Sequence, residues 1–150
     1  MTDVGQASAP RATGSGPGRA LVAVYGVFAL AATARAAFQI STKLAEAPIA
    51  YLLSALSAVV SVVATIALAR GTGRWRTVAW VTVTVELLGV LTVGVLSVVD
   101  VAAFPDETVW SAFGRGYGYV PLVLPVLGLL WLWRTRPRPE PSRPAAGSAV

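Results

Sequence analysis

Four apolar stretches, each near the length needed to cross a bilayer, constrain this chain more than any other feature. A hydrocarbon core about 30 Å thick takes roughly 20 helical residues per crossing. The runs at about 20–42, 49–69, 77–99 and 117–133 meet or approach that length, while 12 basic and 7 acidic side chains serve all 150 residues. The third run is rich in valine and strand-like by propensity, but an isolated strand in lipid leaves its backbone groups unpaired. The expected fold is therefore all-α: a polytopic four-helix transmembrane bundle with short loops. Residues 1–19 and 134–150, rich in Gly, Pro, Ser and Ala or in Arg and Pro, are expected to be disordered tails.

Prolines and glycines mark the ends of the spans. Pro48 suits the first turn of the second helix, where its missing amide loses no hydrogen bond, and the R-G-T-G-R turn at Arg70 to Arg74 closes that helix. The fourth span holds Pro121 near its start and Pro125 inside it, and at 1.5 Å per residue it reaches only about 25 Å.

Charge orients the bundle. Arg11 and Arg19, then Arg70, Arg74 and Arg76, then Arg134, Arg136, Arg138 and Arg143 fall on one side if there are four crossings; the other side receives only Lys43 and Arg115. The positive-inside rule then puts both termini in the cytoplasm, with the chain multi-pass in a bacterial inner membrane. Trp75, Trp80, Trp131 and Trp133 lie near the basic boundary, and Trp110, Tyr117 and Tyr119 near the other, as interfacial anchors. In the outer segment, Pro105 is positioned to start a short helix that Asp106 and Glu107 favour and Gly114 stops, with Trp110 and Phe113 lying on lipid or covering the bundle.

Two charges fall inside the spans. An ionised side chain at the bilayer centre costs about 2.5–3.5 kcal/mol on the permissive insertion scale, so Arg35 and Glu86 need partners. Counted from the expected helix ends, Arg35 lies about 21 Å and Glu86 about 14 Å deep, a gap that an arginine stem leaning back toward its helix N-terminus can span. Polar and small residues continue the same faces: Arg35, Gln39 and Lys43 on the first helix, Ser54, Ser57, Ser61 and Thr65 on the second, Thr82, Glu86, Gly89 and Ser97 on the third. Arg35, Gln39, Ser61, Thr82 and Glu86 form the candidate intramembrane polar site. Its alternatives are a tightly packed, ion-paired interface and a path for a proton or solute.

Other chemistry is poorly served. The chain has neither cysteine nor histidine, which removes thiolate chemistry, imidazole proton shuttles and cysteine or histidine ligation of zinc or haem. No catalytic residue, cofactor or metal site is expected. The net charge of +5 would suit nucleic acid, but the arginines flank apolar runs, so membrane lipids are the expected partners and nucleic acid is not.

The segments Tyr25 to Gln39, Ala47 to Ser54, Val85 to Leu91 and Val109 to Pro125 resemble small four-helix integral membrane proteins of high-GC actinobacteria. That resemblance implies a common bundle and carries no activity with it. The nearest functional analogy is the small multidrug exporters, similar in having four short spans and a membrane glutamate, but their acid belongs in the first helix, where this chain has Arg35. The expected role is a non-enzymatic accessory or assembly component, as a homo-oligomer or with a larger membrane-protein partner. The alternative is a small proton-coupled or ion and solute transporter using Glu86 and Arg35.

Overall fold

A computed structural model describes residues 16–136. It contains four α-helices: α1 at Pro17–Lys43, α2 at Pro48–Arg70, α3 at Arg74–Val99 and α4 at Val120–Arg134. Among the described residues there are no strands. At 1.5 Å per residue, α1, α2 and α3 extend about 35–40 Å, ample for a bilayer, whereas α4 extends about 22 Å. Three helices are thus long and apolar enough to cross, and a fourth crossing requires α4 together with the bent segment before it. The tails at 1–15 and 137–150, with Arg11, Arg138 and Arg143, lie outside the described residues.

The distribution of side chains is that of a protein dissolved in lipid. Large apolar residues face outward, with Val27, Leu30, Phe38 and Ile49 each more than 60% exposed, while Ala32, Ala64, Ala67 and Ala79 are fully buried. Lipid gives helices no hydrophobic reason to associate, so they approach through small residues and gain dispersion contact. The chain is an integral, multi-pass helical membrane bundle. In it α1 packs on α2, α2 on α3 and α3 on α4, while α1 and α4 touch sparingly and leave between them a groove of about 540 Å³.

Helix ends follow local chemistry. Pro17 occupies the first turn of α1, so the helix begins three residues before the expected boundary. Gly71 ends α2 in the left-handed conformation, its amide donating to Ala67 O at 3.0 Å. At the same end of the bundle the Arg76 guanidinium donates to Leu132 O and to Thr135 Oγ1 (3.3 Å), satisfying a terminal carbonyl of α4 and tying it to the start of α3. Arg70 and Arg136 stack on Trp75 and Trp80.

The segment between α3 and α4 departs from expectation. No helix starts at Pro105; instead Asp106 accepts from the Glu107 amide (2.8 Å) and from the Tyr51 hydroxyl (2.7 Å), which draws the chain down onto α2. Two short 3-10 turns at Ser111–Tyr117 follow, joined by a kink at which Ala112, Phe113 and Gly114 are all left-handed, and the segment meets α4 at 101°. Trp110 is not an interfacial anchor: it is 3% exposed, and its ring lies so close to Gly89 that a Cβ there would meet it at 2.7 Å. Gly89 is ten residues below the end of α3, so the ring reaches about 15 Å along that helix. The segment is therefore re-entrant. It packs on the loop-side half of α3 and against α4. α4 starts at Val120 rather than near Tyr117 because Gly118 and Tyr119 are left-handed and Tyr119 N is committed to Gly114 O.

Candidate intramembrane site

Glu86 sits near the middle of α3, 3% exposed, about 18 Å from the Arg74 end. Its Oε1 accepts a hydrogen bond from Ser61 Oγ of α2 at 2.5 Å. The Tyr25 hydroxyl of α1, fully buried, points at the same carboxyl group without reaching ordinary hydrogen-bond geometry. It also lies against Gly128 of α4, where an added Cβ would stand 3.2 Å from the phenolic oxygen. α1, α2 and α3 thus meet at one carboxyl group, with α4 packed behind the phenol.

The network is only half satisfied. Glu86 Oε2, Tyr25 OH and Ser57 Oγ, the last one turn along α2 from Ser61, are buried and have no hydrogen-bond partner. Such groups cost about 1–3 kcal/mol each when left unpaired, and two of them, Glu86 Oε2 and the Tyr25 hydroxyl, face one another across α1 and α3.

The expected Arg35–Glu86 pair is not formed. Arg35 Nη2 donates to the Glu107 carbonyl at 3.1 Å, and its guanidinium lies 5.5 Å from the centre of the Tyr117 ring. Because α1 begins at Pro17, Arg35 sits about 27 Å along it, roughly 9 Å further toward the loop end than Glu86, where the re-entrant segment offers a carbonyl and an aromatic face. The ion pairs among the described residues are Lys43–Glu46 and Arg115–Glu107, both exposed.

The other candidates divide between two places. Ser61 reaches Glu86; Thr82, one turn below Glu86, donates to its own helix at Val78 O (2.9 Å). Gln39 is buried beside Arg35 and apart from the carboxyl cluster. Sequence reasoning missed Tyr25, whose one signal is a phenol placed inside a span rather than at its edge. It also assigned the upper part of the α3 stripe too broadly. Gly89, Gly94 and Ser97 seat the re-entrant segment: Gly94 lies under Phe113, and Ser97 Oγ accepts from the Ala112 amide at 2.8 Å.

Above the site, Thr108 and Ser111 hold Trp110 in place. The Trp110 amide donates to Thr108 Oγ1 (3.1 Å) and the Thr108 amide to Ser111 Oγ (2.9 Å). The indole stands one helical turn above Glu86 on the same face of α3, as a stopper on the loop side.

The Tyr51–Asp106 bond gives this segment an acid-sensitive latch. The Tyr51 hydroxyl, then the Glu107 amide and the charges of Arg35 and Lys43, hold the Asp106 carboxyl below its ordinary value of 3.8. A depressed folded value means stability present above the ordinary value and lost as pH falls through the folded one. Thermal midpoints of the detergent-solubilised protein should therefore hold above about pH 5 and fall as the pH drops below about 4. Tyr51→Phe should start lower and fall less; parallel curves for the two proteins would contradict this.

Comparison with protein-family models, with curated proteins and with solved structures finds no match to this chain.

Proposed function

We propose that this membrane protein is a small carrier that couples passage of a proton or solute to the protonation of Glu86, with no catalytic chemistry of its own. The single observation behind this reading is a mid-bundle carboxyl with one serine donor, no ion-pair partner among the described residues, and a second oxygen facing a buried phenol. Ionisable groups at membrane depth are expensive to keep and belong by default to ion or proton pathways. Absence of the Arg35 pair removes the register-fixing role that would otherwise explain the charge. A bent segment packed before a short helix fits the same reading, because non-helical backbone at membrane depth is tolerated where it is buried in protein or lines a cavity.

In this mechanism Ser61 holds Oε1, leaving Oε2 and the Tyr25 hydroxyl to receive the proton or cation. Trp110 closes the route from the loop end, and withdrawal of the re-entrant segment exposes the carboxyl on that side. We further infer that the end bearing Arg19, Arg70, Arg74, Arg76, Arg134 and Arg136 faces the cytoplasm of a bacterial inner membrane.

The test is proton flux into vesicles reconstituted with the full-length protein, read by an entrapped pH dye after a potential is imposed. Wild type should exceed empty vesicles; Glu86→Gln should lower that excess by about tenfold or more, and Tyr25→Phe by less. Equal flux from wild type and a folded Glu86→Gln protein would remove Glu86 from the mechanism.

A second reading, an accessory or assembly component, retains one observation. The α1–α4 groove is lined by Leu21, Val24, Leu124, Leu127 and Trp131, an apolar trough that a partner's apolar side chains could enter. In-membrane crosslinking that recovers one larger protein at fixed stoichiometry would favour it.

A further inference from the structure

At the loop end of α1, away from Glu86, a cleft of about 260 Å³ is lined by Arg35, Phe38, Gln39, Lys43 and Asp106. Arg35, Gln39 and Lys43 recur every four residues and so form one row running from about 12 Å below the end of α1 up to that end. Three observations make this row more than a charged rim. Arg35 makes a single hydrogen bond to the protein, through one of its five N–H groups, and has no carboxylate within ion-pair distance among the described residues. Gln39 is 6% exposed, its Oε1 is without a partner, and its side chain lines the cleft. Phe38, beside them, is 61% exposed on the lipid side.

We propose that this cleft seats the headgroup of a phospholipid from the leaflet at the loop end, with its phosphate on Arg35 and Lys43 and its hydrogen-bond donor on Gln39 and Asp106. The row ends at the loop end of α1, and arginine and lysine stems extend toward the headgroup level while their methylenes stay in hydrocarbon. Guanidinium presents a planar fork that matches phosphate oxygens, and the ammonium of Lys43 adds a point charge above it. Gln39 needs a partner, and Asp106 keeps acceptor capacity beyond its bonds to Tyr51 and Glu107. A headgroup with an amine or hydroxyl beside its phosphate meets both demands; a quaternary ammonium, having no N–H, meets only the first. Phe38 supplies an apolar wall for the glycerol and upper acyl chain. This assignment does not depend on the role given to Glu86.

Native mass spectrometry of the full-length protein in mild detergent tests it, with phosphatidylethanolamine, phosphatidylglycerol, phosphatidylcholine, diacylglycerol or inorganic phosphate added. The expected result is one tightly retained phosphatidylethanolamine or phosphatidylglycerol, with phosphatidylcholine at least about threefold weaker and diacylglycerol not retained. Lys43→Gln and Gln39→Leu should each reduce retention by about fivefold or more, and both leave the Arg35–Glu107 bond in place, so a failure to fold does not confuse the reading. Arg35→Lys should retain the lipid better than Arg35→Gln. Two results would overturn the proposal: equal retention of all four lipids with no effect of Lys43→Gln or Gln39→Leu, or displacement of the bound lipid by millimolar inorganic phosphate. The second would assign the cleft to a free anion.

Discussion

Trp110→Ala is expected to loosen the loop-side half of the bundle, at a cost of about 3 kcal/mol in stability, measured by thermal or SDS unfolding in detergent. The indole is almost wholly buried and its six-membered ring rests on the Gly89 position. Its removal leaves a hole in the core cluster that also holds Val109 and Phe104, and filling it requires the segment to shift. The mirror change makes the contact test specific. Gly89→Ala would drive its Cβ to 2.7–2.9 Å from three ring carbons, and the ring is the movable end of a side chain. Shortening that side chain should relieve the clash, so Gly89→Ala with Trp110→Leu is expected to be more stable than the sum of the two single changes by about 1 kcal/mol or more. Strict additivity would mean that the indole does not sit on α3.

Gly94→Ala should behave differently, and the contrast identifies a backbone contact. Its Cβ would meet the Phe113 ring at 2.7 Å but also the Phe113 amide nitrogen at 2.9 Å. Trimming Phe113 to Ala takes away the ring and leaves the nitrogen where it is. That nitrogen is hard to move: residues 112–114 are in the left-handed region, which costs about 1–2 kcal/mol for each non-glycine residue, and Ala112 N is tied to Ser97. We expect Gly94→Ala to destabilise by about 2–3 kcal/mol and Phe113→Ala to rescue little of it. Full rescue would show the ring alone to be the obstacle.

The first three helices were readable as uninterrupted apolar runs because their lengths alone select helix in lipid. The fourth was readable only in part. Its hydropathy is real, but what precedes it is governed by Gly118 and Tyr119 turning left-handed and by a loop that folds inward, and neither leaves a periodic mark. Trp110 was misplaced for a related reason: counting from the end of a span gives depth only while the chain keeps going outward. Ala112 and Phe113 have no preference for positive φ, so their conformation is imposed by the contacts at Gly94 and Ser97 and has no local signature. For the site, the four-residue spacing of the α2 serines and the isolated acid in α3 put Ser61 and Glu86 on inward faces. Tyr25 escaped because one phenol among alanines carries no period, and Arg35 was paired with the wrong partner because its competing acceptors belong to the re-entrant segment.

The hydroxyls of α2 bear on how that helix can move. Ser54 bonds its own helix at Ala50 O and Thr65 at Ser61 O, so the Ser61–Glu86 bond is the one side-chain hydrogen bond that joins α2 to α3 among the described residues. Yet Ser57 and Thr65 stand four residues to either side of Ser61 and carry a hydroxyl about 6 Å away along the helix. Glu86 therefore faces a toothed rack, and three neighbouring teeth carry a hydroxyl. What tells one notch from the next is steric: the buried alanines Ala58, Ala64 and Ala67 sit among the core valines and leucines, and a shift of α2 would put larger side chains in their places. Polar bonding alone leaves α2 free to step along α3, and the spacing of its smallest side chains holds it still.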